Sequence, residues 1–164
     1  MRNIILMCVV LLMVTSCEKG PGEGGTSTIS GKIMTYDLQH NDVIKRLDTL
    51  NQYYSADRDV FIIYGDDTSL HDDSYKSSFD GSFHFQYLRE GTYTIFVYSD
   101  CEKDTSGLAA LYATDYEYAN ALENTIWNTT CVDGNYAKKV QVNISDVDQE
   151  INLEDLIIYN VVNP

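Results

Sequence analysis

From residue 29 onward, apolar and polar residues alternate along much of the chain with a period of two. Ile29-Ser30-Gly31-Lys32-Ile33-Met34-Thr35-Tyr36 follows this alternation. Phe83, Phe85 and Tyr87 fall on one face of a second stretch. Tyr93, Ile95 and Val97 fall on one face of a third, with Phe96 and Tyr98 opposite, and Val140, Val142 and Ile144 repeat the pattern. Successive side chains of a strand point to opposite sheet faces, so a period of two reads as half-buried strands. Val60-Phe61-Ile62-Ile63-Tyr64 is instead continuous, β-branched and aromatic, and stops at Gly65. That composition and length predict a fully buried strand. Ile151 and Leu153 begin a last segment that Leu156 to Val162 extends. The pattern predicts an all-β body.

Two stretches interrupt it. Residues 37–58 are polar and long for a hairpin connection, and residues 101–131 are longer still. Within the second, Leu108, Leu111, Tyr112, Ala119, Leu122 and Ile126 recur at helical spacing, and Thr105 or Ser106 can cap the start. The spacing predicts a short helix packed on the sandwich. Asp80-Gly81 lies between two strand runs and predicts a hairpin turn, because glycine accepts a positive φ without steric cost. Gly20, Pro21, Gly22, Gly24 and Gly25 cluster ahead of the first strand, so residues 17–28 read as a flexible tether.

The first residues carry a different signal. Arg2 precedes an unbroken apolar run of eleven residues, Ile4 to Val14, followed by Thr15-Ser16-Cys17. This run is too short to cross a bilayer core and reads as a secretory h-region. Val14-Thr15-Ser16-Cys17 resembles the lipobox of bacterial lipoproteins. The resemblance implies removal of residues 1–16, lipid on Cys17, and attachment to a membrane through that lipid. Glu18, being other than Asp, implies sorting to the outer membrane of a Gram-negative bacterium. The Glu18-Lys19 pair resembles surface-export signals, so the expected location is the cell surface. The organisation is then a signal peptide over 1–16, a tether over 17–28 and one domain over 29–164.

Loss of residues 1–16 from the 164 leaves 148, enough for one ordinary core. Only Arg2 is lost among the charged residues, so the formal net charge moves from −14 to −15. So acidic a body excludes nucleic acid as a partner, since phosphate binding needs a basic face. It also repels anionic headgroups. Of the four cysteines, Cys8 leaves with the signal and Cys17 takes the lipid. Cys101 and Cys131 remain as an even pair in an exported chain, for which a disulfide is expected.

The stretch Phe79-Asp80-Gly81-Ser82-Phe83-His84-Phe85-Gln86-Tyr87-Leu88-Arg89-Glu90-Gly91-Thr92-Tyr93 resembles carboxypeptidase regulatory-like and Cna-B-like domains. In that pattern an Asp-Gly turn (Asp80, Gly81) leads to an aromatic strand (Phe83, Phe85). A Leu-x-x-Gly-x-Tyr corner (Leu88, Gly91, Tyr93) then leads to the next strand. The resemblance implies a single antiparallel Greek-key β-sandwich of about seven strands, prealbumin-like, and says little of function. The chain departs from the pattern over residues 41–57 and 101–131.

Catalytic motifs are sparse. The chain ends Tyr159-Asn160-Val161-Val162-Asn163-Pro164, unlike the Tyr-Arg-Gly-Ser ending of the hydrolases of this fold. His40, His71 and His84 form no metal-ligand pair, and no nucleophile elbow or phosphate-binding glycine loop is present. Asp66, Asp67, Asp72 and Asp73 make the densest acidic group and a weak calcium candidate; no other metal and no cofactor is expected. Asn128-Thr129-Thr130 and Asn143-Ile144-Ser145 match the glycosylation triplet by chance, and Asp48-Thr49-Leu50 resembles an O-glycosylation acceptor. Of the thirteen tyrosines, Tyr64, Tyr87 and Tyr93 at alternating strand positions are expected in the core; Tyr53-Tyr54, Tyr112, Tyr116 and Tyr118 lie in the long connections and are expected to cap the ends of the sandwich, the alternative being exposure for recognition of a protein or polymer. Three readings follow. The first is a non-catalytic, lipid-anchored envelope module that binds a protein or polysaccharide or acts as a spacer. The second is a small hydrolase of glycans using the four aspartates, and the third an adhesin or fimbrial-type subunit.

Overall fold

The computed structural model describes residues 20–41, 46–65, 70–101 and 134–162; of residues 40–47 no side chain is described. Residues 1–19 with Cys17, the pair Asp66 and Asp67, Cys131 and the helix expected after Cys101 lie outside the described residues. Among these residues the chain forms nine strands and no helix. They are β1 (Glu23–Asn41), β2 (Arg46–Tyr54), β3 (Asp59–Tyr64), β4 (Asp73–Lys76), β5 (Ser82–Leu88), β6 (Gly91–Asp100), β7 (Asn135–Ile144), β8 (Glu150–Asn152) and β9 (Leu156–Val161). They make two open sheets, one of β1, β2, β5, β8 and β9, the other in the order β4-β3-β6-β7.

The all-β, two-layered body is what the alternation predicts. Its details differ in three ways. There are more strands than about seven, because residues 46–54 form β2 and residues 73–76 form β4. Pairing is not wholly antiparallel, since β8 and β9 both run parallel to β1. And β1 begins at Glu23, so residues 23–28 of the glycine-rich stretch are strand.

The five-stranded sheet is built on β1, which at about 3.3 Å per residue reaches roughly 60 Å. Along one edge β5 pairs antiparallel with its first half and β2 with its second. The exchange happens at Ile33: its N–H donates to Gly81 O at 2.9 Å, and its carbonyl accepts Ser55 N at 3.0 Å. Along the other edge β8 gives way to β9, with Leu153 N donating to Ser30 O at 2.8 Å. Both edges of the strand are therefore satisfied over most of its length, as buried backbone requires.

Asp80-Gly81 is a turn but not a hairpin. Gly81 has φ +77° and its N–H closes on Ser78 O at 2.9 Å, yet the strands on either side belong to different sheets. The turn carries the chain across the sandwich and leaves Phe79 92% exposed. Tyr87, expected on the core face with Phe83 and Phe85, is 70% exposed. Its φ of +59° breaks the alternation, and Leu88 takes the buried position, facing both Glu23 and Ser27 across irregular pairing. One residue at positive φ flips the following register, as in a bulge.

The core lies between the sheets. Ile29, Ile33, Phe83, Phe85, Leu88, Leu156 and Ile158 meet Val60, Ile62, Tyr93, Ile95, Val97, Val142 and Ile144. The buried hydroxyls beside Ile33 are paired. Thr35 and Ser55 bond each other, and Ser77 Oγ donates to Ser55 O at 2.6 Å. The outer edge of β9 is joined to the other sheet by side chains: Tyr159 N donates to Ser99 Oγ at 2.8 Å and Val161 N to Asp100 Oδ2 at 3.0 Å. Gly31 sits where the Phe83 ring passes beneath β1, and a Cβ there would stand 2.8 Å from Phe83 Cζ. Since Phe83 is fully buried, Gly31→Ala is expected to destabilise the fold by about 1–3 kcal/mol, measured by urea unfolding.

Candidate functional site

Even-numbered residues of β1 from Ser30 to Tyr36 turn away from the core and set up a polar and aromatic face. Ser30 stands opposite His84 on β5 and Asn152 on β8, and Lys32 opposite Ser82. Met34 stands opposite Tyr54 on β2 and Ile157 on β9, and Tyr36 opposite Gln52 and Tyr159. Residues directly opposite in a sheet share a face, so these rows are one continuous surface.

Tyr54 is its organising group. The side chain is 43% exposed, yet it is held at both ends. Its hydroxyl donates to Asp155 Oδ2 at 3.0 Å, and Lys32 Nζ lies 4.9 Å from the ring centroid. Lys32 also donates to Asp80 Oδ2 at 3.1 Å. The other oxygen of Asp80 accepts Ser82 Oγ at 2.6 Å and Ser82 N at 3.2 Å. The Ser82 hydroxyl, then Lys32, hold the Asp80 carboxyl at about 2, below its ordinary 3.8. The bond to Asp155 raises the Tyr54 phenol. Beside this chain a groove of about 540 Å³ runs over β1, lined by Ser30, Lys32, Ser82, His84, Asn152 and Asp155. Ser30 Oγ donates to Asn152 Oδ1 at 2.9 Å across it.

Other polar groupings are spent internally. On the inner face at the far end of β1, Asp37 accepts Asn160 Nδ2 at 2.9 Å, Tyr53 Oη at 3.2 Å and Asn51 Nδ2 at 3.3 Å. The Asn160 bond leads the causes that lower its carboxyl. A larger open cleft, about 740 Å³, lies at the opposite end beside Arg89, whose guanidinium is bound to backbone carbonyls. Of the four aspartates considered for calcium, Asp72 accepts Tyr64 N at 2.7 Å and Asp73 accepts Ser74 N at 2.7 Å. Among the described residues no group of three His, Cys, Asp or Glu side chains is placed to hold a metal. His71 packs on Phe61 and His84 on Tyr75, each with ring centroids 4.6 Å apart. Cys101 is buried, and its N–H donates to Gly134 O at 3.0 Å.

Sequence reasoning placed Tyr53 and Tyr54 in a long connection and singled out neither Lys32 nor Asp155. The alternation of Ser30, Lys32, Met34 and Tyr36 marks half of the face. The other half depends on β2, β8 and β9 coming alongside, which no local pattern encodes.

No family model matches the chain, and no curated protein matches it. Among solved structures it is similar to a Pseudomonas aeruginosa protein described as a "putative carbohydrate binding protein". Identity is 11%, over 81% of this chain and 90% of that one, with a TM-score of 0.36. A likeness of that degree fixes no ligand, and the functional reading rests on the chain's own surface.

The Asp80 linkage has a definite sign. A carboxyl held below its unfolded value adds stability that is complete above about pH 4 and is lost as pH falls through about 2. Asp80→Asn is therefore expected to be less stable than the parent by a constant margin above pH 4. The margin should shrink between pH 4 and pH 2 in urea unfolding at a series of pH values.

Proposed function

We propose that the chain is a non-catalytic, lipid-anchored module of the Gram-negative outer membrane that binds a hydroxyl-rich polysaccharide on the outer face of its five-stranded sheet. The reading is carried by Tyr54: an aromatic ring on a rigid sheet, half open to solvent and fixed at its hydroxyl by Asp155. A sugar ring offers an apolar C–H face that packs on an aromatic ring, and hydroxyls that need fixed acceptors and donors around it. In the groove Asp155 and Asn152 supply acceptors, and the Lys32 ammonium and the Asn152 amide supply donors, while Ser82 and Asp80 are bonded to each other and hold Lys32 in place. Holding these groups in place beforehand lowers the entropy lost on binding. The lipid on Cys17 would place this face outside the cell. The tether between Cys17 and β1 is short, since the chain is already bonded to the fold at Gly20.

Binding is tested by titrating cell-wall and capsular oligosaccharides into the protein by calorimetry. Tyr54→Ala is expected to weaken the best ligand by about tenfold or more, with the circular dichroism of the parent retained. Equal affinity in the folded variant would remove the site.

We also propose that Cys101 and Cys131 are bridged. Residue 134, three positions after Cys131, is hydrogen-bonded to Cys101, so the ends of the long segment meet there. Reduction is expected to lower the unfolding free energy by about 3–4 kcal/mol. Two free thiols by alkylation and mass spectrometry of the oxidised protein would contradict the bridge.

A further inference from the structure

The three residues ahead of β1 are tied to the corner that joins β5 of their own sheet to β6 of the other. Arg89 N donates to Gly22 O at 2.9 Å, Gly22 N donates to Tyr93 Oη at 3.0 Å, and Tyr93 Oη donates to Arg89 O at 2.7 Å. Three bonds thus close a ring through Gly22, Tyr93 and Arg89. The Arg89 side chain reaches further back, its Nε donating to Gly20 O at 2.8 Å. Pro21 lies on Gly91, where a Cβ would come within 2.7 Å of Pro21 Cβ and where φ is +142°. Tyr93 is fully buried, and the ring of Tyr64 stands edge-on to it at 5.7 Å.

The first turns of β1 are poorly held by comparison. Pairing with β5 changes register twice between Glu23 and Ile29, with Leu88 opposite both Glu23 and Ser27. Gly24, at φ +99°, and Gly25 fall in this stretch. Regular pairing starts at Ile29. A strand loaded at such an end opens one bond at a time.

We propose that residues 20–22 are a strap that carries tension. Tension arriving from the N-terminal side passes through the Arg89 and Tyr93 bonds into the β5–β6 corner, and the irregular start of β1 is shielded from peeling. Behind the strap, β1 meets parallel β8 and β9 over Thr28–Ser30 and Ile33–Leu38. Opposed pulls on the start of β1 and the end of β9 then load that ladder in shear, all its bonds together. The strap suits a protein held at its N-terminal side while its far surface grips a polymer. Its geometry does not depend on which ligand is bound.

The test is single-molecule pulling in two geometries. In one, the mature chain is held by the Cys17 thiol, left unacylated, and by its C-terminus. In the other, it is held by a thiol placed at exposed Leu50 on β2 (Leu50→Cys with Cys17→Ser) and by its C-terminus. Tyr93→Phe keeps the buried ring and removes only the hydroxyl, and Arg89→Met keeps the stem and removes the guanidinium. At fixed tension each variant is expected to unfold about tenfold faster than the parent in the Cys17 geometry. In the Leu50 geometry it should match the parent. Equal acceleration in both geometries would mean that the bonds add only general stability, and no acceleration in the Cys17 geometry would mean that they carry no load; either overturns the strap.

Discussion

The fold depends on one strand having partners on both sides for most of its length. β1 is central to its sheet, and no other single element spans that sheet from end to end. Its partners come in tandem, β5 then β2 on one edge and β8 then β9 on the other, so each exchange risks a gap in the ladder. At Ile33 the gap is closed by the residue itself, which bonds Gly81 with its N–H and Ser55 with its carbonyl. The hydroxyls of Thr35, Ser55 and Ser77 complete the junction without leaving a buried group unpaired. Around this junction the core residues of β1, β5 and β9 meet those of β3, β6 and β7.

The two faces of β1 divide the work. Its odd residues from Ser27 to Thr35 are buried and define the sandwich. Its even residues make the outer surface on which Tyr54, Lys32, Asp80 and Asp155 are linked into a rigid chain. The same strand starts at the strap and ends at the β1–β2 connection. Under the proposed reading, anchorage, core and binding face would be mechanically one element. The net charge of −14 favours solubility and repels anionic surfaces.

Much of this was legible as a pattern of alternation. The buried positions Ile29, Ile33, Phe83, Phe85, Tyr93, Ile95, Val97, Val142 and Ile144 are those a period of two selects, because local pleating decides which side a residue faces. What alternation does not contain is partner choice. Asp80-Gly81 has the chemistry of a tight turn, but whether a turn joins neighbours in one sheet or crosses to another is settled by long-range packing. The positive φ of Tyr87 was equally hidden, since tyrosine carries no signal for it and Leu88 could take its place. The glycines ahead of β1 read as a tether by composition alone. Among them Gly22 bonds Tyr93, and the neighbouring Pro21 lies on Gly91 at the start of β6. The polar outer face was half visible for the same reason: β1 supplies its own alternate residues, whereas Tyr54, Asn152 and Asp155 arrive through pairings between distant segments.

Native-state hydrogen exchange along β1 addresses the central claim most directly. If β1 is a single spine secured at both edges, the amides of Ile29, Ile33 and Thr35 exchange only through the same global opening that exposes β6. Exchange of the β2–β1–β9 half at a distinctly lower opening free energy, with β6 still protected, would contradict it and divide the sheet at Ile33 into two independent parts.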